Sequence, residues 1–241
     1  GTLLKFKGRH IIATAAHVIQ RDTKFTLLLP GPEIPLVLKG PGQVTPLRSG
    51  RTRLTDPLDF CAIDLTPENV KALTVRCKFI DLVEDGVWDI PPLPCPHKIM
   101  GYPEDANIPD TSMHHLPINA LRLDVMEDRN IIQHGPDDDY REHYAWYLGL
   151  RYDPRELEPQ GIQPKVSTLH GFSGGAIWRT NGEQLVGFAG ILTESPEPRR
   201  TGERLIYAIR ARTICDLLEK WGKSKSIFPL SLCANDNETR T

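Results

Sequence analysis

Apolar positions along the chain fall in short runs, each closed by proline, glycine or charged residues, and the runs alternate or are continuous more often than they repeat at helical spacing. "TLLKFKGRHIIATAAHVI" (2–19) predicts a strand, a Gly-Arg turn, a second strand and a short helical turn. Further strands are predicted at "KFTLLL" (24–29), "IPLVLK" (34–39) and "DFCAIDL" (59–65). "TPENVKAL" (66–73) predicts a helix, with Thr66 as cap, Pro67 at the first helical position and Glu68 behind it. The segment 84–96 carries four prolines and no period, so it reads as a linker. Strands resume at 97–103, 118–126, 143–150, 174–179, 184–192 and 204–210, with polar loops between them, the most acidic at 133–142. Ile214, Leu217, Leu218 and Trp221 stand at helical spacing within 211–223, and Gly222 acts as a stop. The expected organisation is an all-β protein of two antiparallel barrels. One spans 1–83 and the other 97–210; a C-terminal helix at 211–223 and a polar tail at 224–241 follow.

Composition narrows the function classes. The 241 residues are 39% hydrophobic and 25% charged with a net charge of −2, which leaves no basic footprint for nucleic acid. No run approaches the roughly 20 apolar residues of a membrane-spanning helix, so no membrane partner is expected. Five cysteines, Cys61, Cys77, Cys95, Cys215 and Cys233, are odd in number, widely spaced and without a C-x-x-C pair. Neither a disulfide framework nor a zinc site is expected, and with no leader-like stretch in the sequence a reducing, cytoplasmic location is expected. Residue 1 already reads as mid-strand, so the expectation is one domain of a larger protein.

Candidate chemistry centres on "HGFSGGAIW" (170–178), where three glycines surround Ser173 within four positions. Glycine costs about 0.5–1 kcal/mol relative to alanine inside regular structure, so such a cluster marks an unusual dihedral or a close backbone approach. A turn before a strand would explain it; so would a nucleophile flanked by amides that face a substrate. A serine hydroxyl needs an adjacent base, and the base needs an orienting group. Of eight histidines, His17 in "TAAHVI" stands out, because small residues precede it at a strand end. His170 is too close to Ser173 in sequence to be its base but can line a cleft, and His114–His115 reads as solvated loop. For the orienting carboxylate, "DPLDFCAIDL" offers Asp56, Asp59 and Asp64. Asp59 is preferred because it leads the apolar run, whereas Asp56 reads as a turn residue and Asp64 lies beside a Thr-Pro break.

The order His17, Asp59, Ser173, with "TAAHVI", "DFCAIDL" and "GFSGGAIW" around them, resembles the chymotrypsin/trypsin family of serine peptidases. "GYP" (101–103) and "LIYAI" (205–209) are similar to family landmarks as well. The resemblance implies two six-stranded barrels, a serine endopeptidase acting through an acyl-enzyme, and no cofactor or metal. It implies His17, Asp59 and Ser173 as the catalytic residues, and the amides of Gly171 and Ser173 as an oxyanion hole. By the same analogy the primary pocket has Ser167 at its floor, "VGFAG" with Phe188 and Ala189 as its wall, His170 at its edge and Leu205 intruding. With no acidic floor, small or medium aliphatic side chains are the expected preference.

Departures from the family pattern matter. The position before the serine is an aspartate in digestive members and pairs there with a freshly cut N-terminus. Here it is Phe172, so activation of that kind is not expected. Bacterial and viral relatives share this lack, and the expectation is the peptidase domain of a bacterial signalling or defence protein. Its partners would be a polypeptide substrate and a regulatory domain or protein. The alternative is a peptidase-like binding module that is catalytically silent or activated by a partner.

Overall fold

The structure, a computed structural model, describes residues 1–19, 26–27, 36–37, 41–52, 56–83, 95–102, 120–133, 138–152, 169–194 and 204–223. Strand β1 (Thr2–Phe6) alternates buried and half-buried positions, and β2 (Arg9–Thr14) returns antiparallel to it through Lys7 and Gly8. Both turn residues have positive φ, 48° and 80°, which Gly8 adopts at no steric cost. A two-residue ribbon follows, β3 (Thr26–Leu27) against β4 (Leu36–Val37). Then come β5 (Gly42–Val44), β6 (Cys61–Asp64) and β7 (Ile80–Asp81).

The N-terminal half differs from the expected closed, six-stranded antiparallel barrel. Among the described residues it is an open five-stranded sheet in the order β5-β6-β2-β1-β7, with the β3–β4 ribbon separate from it. Its last strand joins β1 in parallel over two residue pairs, Leu4 with Ile80 and Lys5 with Asp81. The helix predicted at 66–73 forms at Pro67–Thr74, with the Thr66 hydroxyl accepting from the Asn69 amide at 3.3 Å.

The C-terminal half is a closed barrel of six antiparallel strands. They are β8 (Pro96–Gly101), β9 (Leu121–Glu127), β10 (Tyr147–Tyr152), β11 (Ala176–Asn181), β12 (Gln184–Glu194) and β13 (Arg204–Arg210). Pro96 already belongs to β8, so strand begins inside the expected linker, of which 84–94 lies outside the described residues. Inward-facing Ile99, Leu123, Val125, Leu148, Leu150, Ile177, Ala189, Ile206 and Ala208 fill the barrel. At one end the same inward positions turn polar: His97 on β8, Glu127 on β9 and Arg210 on β13. Glu127 is tied to Arg210 at 2.8 Å.

Two segments depart from their sequence reading. The expected loop at 133–142 contains a helical turn, Asp138–Glu142. Tyr140 drives it, buried to 2% exposure with its ring 4.8 Å from Tyr147 and 4.5 Å from Tyr207. The strand expected from 143 begins only at Tyr147, because Tyr144–Trp146 closes a 3₁₀ turn through the Trp146 amide and the His143 carbonyl. The tail 224–241 lies outside the described residues.

Among the described residues the helices are, in order, α1 (Ala16–Ile19), α2 (Pro67–Thr74), α3 (Arg129–Gln133), α4 (Asp138–Glu142) and α5 (Ala211–Lys223), and α5 packs against both halves. One apolar core contains Leu4, Phe6, Ile11 and Phe60 from the first half, Phe188, Tyr207 and Ile209 from the outside of the barrel, and Ile214 and Leu218 from α5. Trp221 stacks on Phe60 at 5.7 Å, and Arg9 donates to the Leu218 carbonyl at 3.2 Å.

Candidate active site

His17 sits in α1, one turn of helix at the end of β2. Ala15 and Ala16 before it are buried to 0% and 1%, and larger side chains there would push the strand end off its neighbours. Asp59 holds the histidine from three directions. Its carbonyl accepts the Ala16 amide at 3.2 Å, and its carboxylate accepts the His17 amide at 3.0 Å. The same carboxylate lies 2.5 Å from His17 Nδ1. A carboxylate can only accept here, so Nδ1 carries the proton and Nε2 is left as the basic nitrogen. The Asp59 side chain is 3% exposed and that of His17 18%, so the pair is shielded on the acid side and open on the other.

The other two carboxylates of this stretch are engaged elsewhere. Asp64 forms a two-point fork with Arg9, at 2.9 and 2.8 Å. Asp56 is buried and accepts the Leu58 amide at 3.1 Å and the Arg48 amide at 3.4 Å, shaping the loop that precedes Asp59. Thr45 completes that loop: its hydroxyl accepts the Phe60 amide at 3.1 Å and lies within reach of the Leu58 and Phe60 carbonyls.

Ser173 is half-buried in a tight turn between Leu169 and β11. The Phe172 amide donates to the Leu169 carbonyl at 3.1 Å, and the Gly175 amide donates to the Phe172 carbonyl at 2.8 Å. The turn is sewn to β12 by Gly174 donating to the Leu192 carbonyl at 2.8 Å and Leu192 donating to the Gly175 carbonyl at 3.0 Å. The glycines are now explained. Gly171 and Gly174 have φ of 87° and 81°, in the left-handed region. A Cβ on Gly174 would collide with the Thr14 side chain, and one on Gly175 with the Met100 and Phe172 carbonyls. Phe172, fully buried, inserts its ring into the barrel against Gly101, where a Cβ would strike it. Among the described residues, neither the Gly171 nor the Ser173 amide donates a backbone hydrogen bond.

Of the sequence candidates, His17 and Asp59 are thus in bonding contact. The turn carrying Ser173 meets the end of β2 at Thr14, three residues before His17. His170 is exposed on that turn. Phe188 and Ala189 are both buried. Phe188 is fully buried, edge-on to Trp178 at 5.9 Å, and Ala189 is 3% exposed inside the barrel. The part of β12 beside the turn is Leu192, followed by Thr193, whose hydroxyl bonds the Tyr207 carbonyl at 3.3 Å. Leu205 is half-buried on β13 opposite Arg151, and Ser167 lies outside the described residues.

Cys61 lies near the site, opposite Thr14 and packed with Ala16. Cys61, Cys77, Cys95 and Cys215 form no disulfide. Burial pushes the Cys215 thiol up to about 12, and burial also raises those of Cys95 and Cys77. A thiol so shifted is a poor nucleophile at neutral pH.

A closed six-stranded antiparallel barrel that shares its core with an open sheet and ends in a terminal helix is consistent with the chymotrypsin fold. Among solved structures the chain is similar to mouse neuropsin, a serine protease expressed in the limbic system of the brain. The TM-score is 0.57 at 13% sequence identity, over 88% of this chain and 85% of that one. At that identity the likeness is one of fold. No family model matches the chain, and no curated protein matches it in sequence.

Proposed function

We propose that the chain is a serine endopeptidase in which Ser173 is the nucleophile, His17 the general base and Asp59 the group that orients and stabilises the base. The observation that carries this reading is the double grip of Asp59 on His17, by backbone amide and by Nδ1. A histidine serving only as packing has no need of a buried carboxylate that fixes its tautomer and leaves Nε2 open.

In this reading Nε2 takes the Ser173 proton as the hydroxyl oxygen attacks the peptide carbonyl. The oxyanion that forms is met by the amides of Gly171 and Ser173, which carry no other backbone bond among the described residues. His17, now charged and balanced by Asp59, returns the proton to the departing amine. Water, activated by the same nitrogen, then releases the acyl group from Ser173. Phe172 bears on how the site is prepared. Its ring anchors the turn inside the barrel, a tether that needs no ion pair with a newly cut terminus.

The test is labelling with a fluorophosphonate, read by intact mass, beside hydrolysis of a peptide library. One adduct on the native chain, none on Ser173→Ala and no cleavage by that variant are expected. An adduct on Ser173→Ala, or undiminished cleavage by it, removes the assignment.

A further inference from the structure

The turn that carries Ser173 belongs to the C-terminal barrel, whereas His17 and Asp59 belong to the N-terminal sheet. Something must set the register between them across that seam. Among the described residues a buried polar bond reaches the turn from the sheet: the Thr2 hydroxyl donates to the Gly174 carbonyl at 2.8 Å, linking residues 172 apart. Thr2 is 6% exposed, stands at the start of β1 and pairs with Ala13 on β2, one residue before Thr14. Gly174 rests directly on Thr14, and that contact is steric. The Thr14 hydroxyl is buried and has no hydrogen-bond partner among the described residues. The two threonines therefore act differently. Thr14 is the stop against which the turn lies, and Thr2 is the bond that holds it there.

We infer that Thr2 is a positioning residue for the nucleophile: its hydroxyl fixes the Ser173 turn against the strand end that leads into His17. The inference rests on the reading of Ser173 as nucleophile. Gly174 is the residue after Ser173, so holding its carbonyl limits how far the turn that carries the serine can shift along the strand end. On the other face, Gly174 donates to Leu192 within its own barrel. Gly174, the residue after the serine, is thus held from both halves, its N–H by its own barrel and its carbonyl by the sheet that carries the base. A displacement of about 1 Å between reacting groups can cost on the order of a hundredfold in rate, which one hydrogen bond at this place can prevent.

The experiment compares the native chain with Thr2→Val and Thr2→Ser by two readouts. The first is the rate of fluorophosphonate labelling at Ser173; the second is hydrogen–deuterium exchange of the peptide covering 170–176. Thr2→Val keeps the β-branch and removes the donor. Its labelling is expected to slow by at least about tenfold, with kcat reduced and KM nearly unchanged, and 170–176 should exchange faster. Thr2→Ser keeps the donor, and both readouts should return to within about threefold of native. Unchanged exchange in Thr2→Val refutes the tie. Faster exchange with undiminished labelling refutes its role in positioning. Thr2→Ser behaving as Thr2→Val refutes the hydroxyl as the agent. Failure of the native chain to label or to cleave removes instead the reading of Ser173 on which the inference stands, and the Ser173→Ala control separates that outcome from the others.

Discussion

At the scale of single residues, the site depends on what each side chain is prevented from doing. Asp59 accepts two N–H groups of one residue, so replacing one oxygen by an NH₂ turns an acceptor toward a donor. Asp59→Asn is expected to keep the fold and lower kcat by about 10⁴, because the amide favours the wrong imidazole tautomer. A pre-steady-state assay of ester hydrolysis checks it, and a loss below tenfold would remove Asp59 from its role. Gly174 shows the opposite economy, an atom that must be absent. Gly174→Ala adds a Cβ against Thr14 at a φ of 81°. The left-handed conformation alone costs roughly 1–2 kcal/mol, so lower stability and loss of Ser173 labelling are expected together. Adding Thr14→Ala should return part of the stability, since it removes the nearest clashing atom, the hydroxyl, but leaves the β-carbon approach and the dihedral; equal midpoints in urea for the single and double variants would contradict this.

Among elements, the polar end of the barrel sets a pH dependence. His97 Nδ1 donates to the Cys95 carbonyl at 2.9 Å; among the described residues Nε2 has no hydrogen-bond partner and lies 4.0 Å from a Glu127 oxygen that likewise has none. Burial holds this imidazole below its ordinary value of 6.5. The nearby Arg179 and Arg210 act in the same sense, against the Cys95 carbonyl and Glu127. Above that value neither folded nor unfolded chain takes the proton. As pH falls through it the unfolded chain binds a proton that the native state resists, and stability declines. The urea midpoint should therefore drop between about pH 7.5 and 5.5 by more in the native chain than in His97→Gln, and equal drops would overturn the argument.

Element by element, the sequence was most readable where a local cue acts locally. Thr66 with Pro67 marks a helix start, and Ile214, Leu217, Leu218 and Trp221 mark a helix face. His17 and Asp59 were legible because each ends or begins an apolar run. The register of β12 was not. Counting evenly back from the Asn181–Gln184 turn sets Ala189 opposite Ala176. Two bulges, at Ile177/Trp178 and Arg179/Thr180, move Ile191 there instead. Nothing in the composition of the strands announces a bulge, since it answers to packing on both faces. The parallel pairing of β7 and the burial of Tyr140 were hidden likewise, because both depend on partners distant in sequence.

For the molecule as a whole, the two halves share an interior. Leu218 is fully buried in the common core, and Leu218→Ala is expected to cost about 2–5 kcal/mol. The loss should appear in one cooperative urea transition followed by tryptophan emission; two resolved transitions would show that the halves melt apart. That shared core carries a consequence for continuity of the backbone. The halves meet through side chains of β1, β2, β12, β13 and α5, and none of these contacts needs the peptide bonds between residues 84 and 94. Two separately expressed pieces, 1–88 and 89–241, should therefore recognise each other and reconstitute a chain that labels at Ser173. Covalent scission there would leave the molecule working as a heterodimer of its own fragments.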